Sequence, residues 1–126
     1  MGRKSIIKDP KGAILKKSIP LFAKYGYFAV SIQKIADTCG LKQTSLLYYF
    51  RDKDSLLMAC HQHLMETNYQ VVSRLHDPKD NARKRIHKFA LGNLKWAIDY
   101  PDQAKLDLLL FYNATWNQSF HQLQKH

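Results

Sequence analysis

The sequence predicts an all-α chain in which a head of three short helices precedes a longer helical body. Three observations carry this. Apolar residues recur at helical rather than strand spacing from Ile14 to Leu110. Asp9, Ser31 and Asp52 stand where helices can be capped, and Gly26 and Gly40 stand where helices can stop. No alternating strand pattern, internal repeat or low-complexity tract interrupts the series.

Asp9 and Pro10 read as a cap and a first helical position. Ile14, Leu15, Ile19, Phe22 and Ala23 follow until Gly26, so the first helix is expected over about 10–25. Pro20 lacks an N–H and crowds the carbonyl of Lys16, which predicts a kink or a shifted start. Ser31 can cap a second helix near 32–39, whose Ile32, Ile35, Ala36 and Cys39 share one face, with Val30 placed to staple onto Ile35. Leu41 leads into a third helix of about 43–50, with Leu46, Tyr49 and Phe50 inward and Gln43, Thr44, Leu47, Tyr48 and Arg51 outward. Asp52 opens a long fourth helix carrying Leu56, Leu57, Cys60, Leu64, Val71 and Leu75, stopped by Asp77 and Pro78. A fifth helix is expected from about Asp80 to Tyr100, with Ala82, Ile86, Phe89, Ala90, Ala97 and Ile98 as its apolar stripe. Pro101 opens a sixth with Leu106, Leu109 and Leu110.

At 126 residues and 45% apolar, the chain can bury one sizeable core. Its formal charge of +10 attracts polyanions, and the charge is uneven. Residues 1–60 hold 11 basic and 4 acidic side chains, whereas residues 61–126 hold 9 and 6, so the N-terminal half is the polyanion face. No apolar run suits a membrane span, and residues 1–7 lack the apolar stretch of a signal peptide, so a soluble, cytoplasmic protein without membrane partners is expected. Cys39 and Cys60 sit at apolar helical positions and read as packing residues in a reducing compartment.

Residues 31–50 carry the chemistry. Two short helices meet at Gly40, which supplies a positive φ, and small Ala36 lets the third helix cross over it. Such a helix-turn-helix presents its second helix to the major groove of DNA. Gln43 suits an adenine edge and Leu47 a thymine methyl, while Thr44, Ser45 and Tyr48 can reach bases or phosphates. Lys42, Arg51 and Lys53 are expected on phosphates. Ser31 and Gln33 lie at a helix start that favours a phosphate. Arg3, Lys4, Lys8 and Lys11 form a candidate basic arm.

These residues resemble the TetR family of bacterial regulators. The resemblance runs through Phe22-Ala23-Lys24-Tyr25-Gly26-Tyr27-Phe28, Ser31-Ile32-Gln33-Lys34-Ile35-Ala36, Cys39-Gly40-Leu41, Ser45-Leu46, Tyr49-Phe50 and Lys53-Asp54-Ser55-Leu56-Leu57. It implies a DNA-binding head over residues 1–54 and, over 55–126, a linker helix and the beginning of an effector-binding and dimerisation domain. It also implies an effector-released repressor that binds a palindromic operator in double-stranded DNA as a homodimer. Leu47 stands where the family usually has a tyrosine gripping the DNA backbone, and Tyr48 and Tyr49 are the candidates to replace it. Lys42 stands where the family has a small capping residue. The chain stops before the family's C-terminal helices, and arginine-free Asn113 to His126 reads as a ragged end, so truncation is expected.

Other features invite plainer readings. Arg83, Lys84, Arg85 and Lys88 read as a solvated helix face, and His61 and His63, two apart, as surface residues rather than metal ligands. Trp96, Tyr100, Phe111, Tyr112 and Trp116 either line an effector pocket or belong to the core, the latter being commoner. No nucleophile with its base, carboxylate pair or phosphate-cradling glycine loop is present, so neither an enzyme nor a cofactor is expected. The rival class is a basic structural nucleic-acid binder without an effector or strong sequence preference.

Overall fold

The computed structural model describes residues 8–114, which form six helices and, among these residues, no strand. Arg3, Lys4, Trp116 and most of the C-terminal tail lie outside them. In α1 (Pro10–Tyr25) the Asp9 carboxylate accepts from Gly12 N at 3.0 Å. The helix continues unbroken through Pro20, and its start is not shifted. Pro20 and Lys16 are both exposed, so the missing hydrogen bond falls on a face that water can reach. On the opposite face Ile14, Ile19, Phe22 and Ala23 are buried, and the buried Ser18 hydroxyl donates to the Ile14 carbonyl at 2.7 Å.

Next come α2 (Ile32–Cys39), α3 (Gln43–Tyr49), α4 (Lys53–Ser73), α5 (Ala82–Asp99) and α6 (Pro101–Ala114). α1 packs on α2, α4 and α6, while α4 and α5 form an antiparallel pair against which α6 returns. A single apolar cluster runs from Phe22, Ile35 and Leu46 in the head through Leu56, Cys60 and Leu64 on α4 to Trp96, Leu106 and Leu110. Burial drives the Cys60 thiol far above its ordinary pKa, which leaves it an inert packing group.

The body departs from the sequence expectation in three places. α4 ends at Ser73, and α5 is capped by Asn81, whose side chain accepts from Lys84 N, rather than opening at Asp80. On α5 the stripe through Ile86, Phe89 and Ile98 is exposed, and the buried side of the helix is Gly92 and Trp96 instead. A Cβ on Gly92 would lie 3.0 Å from the Cα of Val72, so α4 and α5 meet backbone to backbone there. Trp96 belongs to the core and donates its indole N–H to buried Gln103 at 2.9 Å, whereas Phe111 and Tyr112 are exposed.

His61 is the third departure. It is half-buried rather than on the surface, with Nε2 3.8 Å from the Asp107 carboxylate on α6. Burial pushes the imidazole below its ordinary 6.5, against the attraction of Asp107, and pushes the Asp107 carboxyl above its ordinary value. The unfolded chain therefore protonates His61 first, and stability falls as pH drops below about 6.5 toward the folded-state value. Asp107 acts oppositely at lower pH, where protonation relieves its burial. Urea unfolding between pH 7 and 5 is expected to show this loss, and His61→Gln to remove it; an unchanged slope would assign the effect elsewhere.

Candidate nucleic-acid interface

The head is assembled from local chemistry. The Ser31 hydroxyl accepts from Lys34 N at 3.0 Å and starts α2. Gly40 ends it at φ 69° and ψ 29°, where the left-handed conformation disfavours side chains. The following Leu41 N–H returns to the Ala36 carbonyl at 2.9 Å, closing the turn. Ala36 is fully buried in the core that joins α2 to α3, which is why the position is small. Leu46 and the following Phe50 anchor α3 to that core, with half-buried Tyr49 packed beside them.

The opposite face of α3 is open. Gln43, Thr44 and Tyr48 are exposed and Leu47 half-exposed, and their spacing sets all four on one side of the helix. Tyr48 is 82% exposed, its ring edge-on to that of Tyr49 at 5.1 Å. Ser45 is half-buried beside them. Lys42 precedes the helix in an extended conformation without any side-chain cap. Lys42→Ser is therefore expected to stabilise the chain by about 1 kcal/mol, read as a higher urea midpoint; no gain would mean that the first amides of α3 are already satisfied.

Around this face lie exposed cations. Lys8, Lys11, Lys42 and Arg51 are exposed, Arg51 pairing with Asp52 at 3.2 Å. Lys24 and Lys34 both sit over the Tyr25 ring, at 5.2 and 5.7 Å from its centroid. Gln33 is exposed at the start of α2, its amide donating to Asp37 at 2.7 Å. Asp52 caps α4 by accepting from Ser55 N, which holds its carboxyl below the ordinary value.

Lys53 is placed differently from the free cation expected of it. It is half-buried, and its Nζ donates to the carbonyls of Tyr27 at 2.8 Å and Val30 at 3.0 Å while lying 4.2 Å from the centre of the Tyr27 ring. The Tyr27 hydroxyl in turn donates to the Asp54 carboxylate. The first turn of α4 thus ties down the loop between α1 and α2. Sequence reasoning missed this role of Tyr27 and Asp54, because only folding brings them to the same place.

A capped short helix, a left-handed glycine and a second helix with an open polar face define a helix-turn-helix protein. Residues 14–60 match the family of bacterial regulatory proteins, tetR family. The chain is 30% identical over 105 residues to the HTH-type transcriptional regulator RutR of Escherichia coli K12, covering 82% of this chain and 49% of RutR. It is 29% identical over 86 residues to the HTH-type transcriptional regulator YerO of Bacillus subtilis, covering 64% of this chain and 30% of YerO. The fold superposes on the ketosteroid regulator KstR2 of Mycobacterium tuberculosis with a TM-score of 0.76 at 18% identity, over 94% of this chain and 61% of that one. A TetR-family regulator from Marinobacter aquaeolei gives 0.77 at 18% identity, over 93% and 62%. The chain belongs to the TetR family, whose members are DNA-binding transcriptional regulators, not enzymes. It spans about half the length of RutR and less of YerO.

Proposed function

We propose that the chain is a sequence-specific transcriptional repressor that binds a palindromic operator in double-stranded DNA as a homodimer and leaves it when a small-molecule effector binds the helical body. The observation that carries this reading is the outer face of α3, open over Gln43, Thr44, Leu47 and Tyr48 on a helix anchored behind by Leu46 and Phe50. In the major groove Gln43 pairs with an adenine edge and Leu47 meets a thymine methyl, while Thr44 and Ser45 reach bases or phosphates. Tyr48, with Tyr49 behind it, takes the backbone grip that Leu47 cannot supply. Ser31 and Gln33 at the start of α2 and the cations Lys42 and Arg51 meet phosphates. Lys53 serves the interface by fixing the 27–30 loop. The working compartment is the cytoplasm, and no helix among the described residues is long and apolar enough to cross a membrane.

Selection from random duplexes at moderate salt, with light scattering of the retained complex, tests this. The expected result is an enriched palindrome held by two copies. Gln43→Ala is expected to lose about 1–3 kcal/mol on that palindrome and to relax preference at one base pair. Equal retention of all duplexes, falling alike with salt, would instead identify a structural nucleic-acid binder, the class that the charge of +10 also suits.

A further inference from the structure

The α4–α5 pair ends in a groove of about 610 Å³, within the size range of small-molecule sites. It begins at Val72, beside the close approach to Gly92, and is lined by Tyr69 and Val72 from α4 and by Ile86 and Phe89 from α5. Tyr69, Ile86 and Phe89 are all more than 60% exposed, an arrangement costly to leave in water. Its rim has the opposite character. Residues 76–88 hold five cations, Lys79, Arg83, Lys84, Arg85 and Lys88, against two carboxylates. Both carboxylates are already engaged, Asp80 by Lys88 Nζ at 2.5 Å and Asp77 by the Lys79 amide at 2.9 Å. Arg85 donates one N–H to the Pro78 carbonyl at 3.2 Å and has further donors to offer.

We infer that this groove binds a soluble acyl chain carrying an anionic head, the chain lying on Tyr69, Val72, Ile86 and Phe89 and the head meeting Arg85 and its neighbouring cations. An uncharged apolar molecule leaves the cationic rim without a partner, and a wholly polar anion leaves the apolar floor wet. A second copy of the chain is disfavoured, because two-fold pairing of this face sets both cationic rims against each other. The regulatory consequence rests on the repressor reading above. The occupant touches both α4 and α5, and α4 is the helix whose first turn holds the head loop, so occupancy biases the helix that carries the head.

Decanoate titrated into the full chain by calorimetry tests the site, with decanol and decyltrimethylammonium as chains of equal length and different head. Decanoate is expected to bind at least tenfold more tightly than either. Arg85→Glu and Phe89→Ser, both at exposed positions, are each expected to weaken it at least tenfold without changing the helical circular dichroism. Equal binding of the three amphiphiles, unchanged affinity in both variants, or stronger binding to phosphatidylglycerol vesicles than to monomeric decanoate overturns the assignment. DNA retention is measured separately without decanoate. A chain that selects a duplex but ignores decanoate refutes the groove alone, whereas one that binds decanoate but selects no duplex supports the groove and refutes the repressor reading.

Discussion

Lys53→Ala is expected to destabilise the chain by roughly 2–4 kcal/mol, because it removes a charged donor from two loop carbonyls that then lack a partner. The ammonium bridges Tyr27 and Val30, residues that the chain brings to the start of α4 only in the folded state. It also lies over the Tyr27 ring, an attraction worth about 0.5–2 kcal/mol in its own right. Lys53→Met, which keeps most of the stem, is expected to lose nearly as much, since the head group makes the bonds. Urea unfolding gives the stability, and binding to a fixed duplex under fully folded conditions gives the second reading. Unchanged stability with uniformly weaker DNA binding would return Lys53 to the role of a simple phosphate contact.

Gly92→Ala is expected to cost about 1–2 kcal/mol, although helix propensity alone favours alanine by up to roughly 1 kcal/mol. The sign is set by the partner helix. The new methyl would meet the Val72 Cα at 3.0 Å, Cγ2 at 3.1 Å and Cβ at 3.3 Å, and a backbone atom cannot rotate away. Relief requires α4 and α5 to separate, which loosens the packing of Trp96 and the amide pair Asn68–Asn93, now at 2.9 Å. Thermal unfolding of Gly92→Ala checks this. The double change with Val72→Ala is expected to recover only part of the loss, because shortening the side chain leaves the main chain of α4 in the way. A stabilised Gly92→Ala would show that the helices part at little cost.

The head was legible in the sequence because its determinants are local. Asp9, Ser31 and Asp52 cap their own helices within three residues, and Gly40 ends α2 by its own backbone geometry. The first two helix spans and the start of α6 therefore fall where the residues place them. The outward set on α3 is equally local, since helical periodicity alone separates Gln43, Thr44 and Tyr48 from Leu46.

The body was less legible, because periodicity marks an apolar face without saying what covers it. On α5 the richer stripe, Ile86 with Phe89 and Ile98, is exposed, and the side chosen for packing is the one whose glycine admits a neighbouring backbone. Glycine in a helix reads locally as a weakness, and its use depends on Val72, twenty residues earlier. Lys53 and His61 follow the same rule. A lysine after a cap and a histidine between polar neighbours look solvated until distant partners, Tyr27 and Val30 for one and Asp107 for the other, arrive by folding.

α3 gives few residues to the core, and this has an evolutionary consequence. With Leu46 fully buried and the loop before α2 secured from α4 rather than from α3, exchanges at Gln43, Thr44 and Tyr48 leave the folding determinants untouched. Descendants of this scaffold can therefore change that surface one residue at a time while every intermediate still folds. Gene duplication followed by drift at those positions gives paralogues that share a body and diverge in what the head reads, without passing through an unstable ancestor.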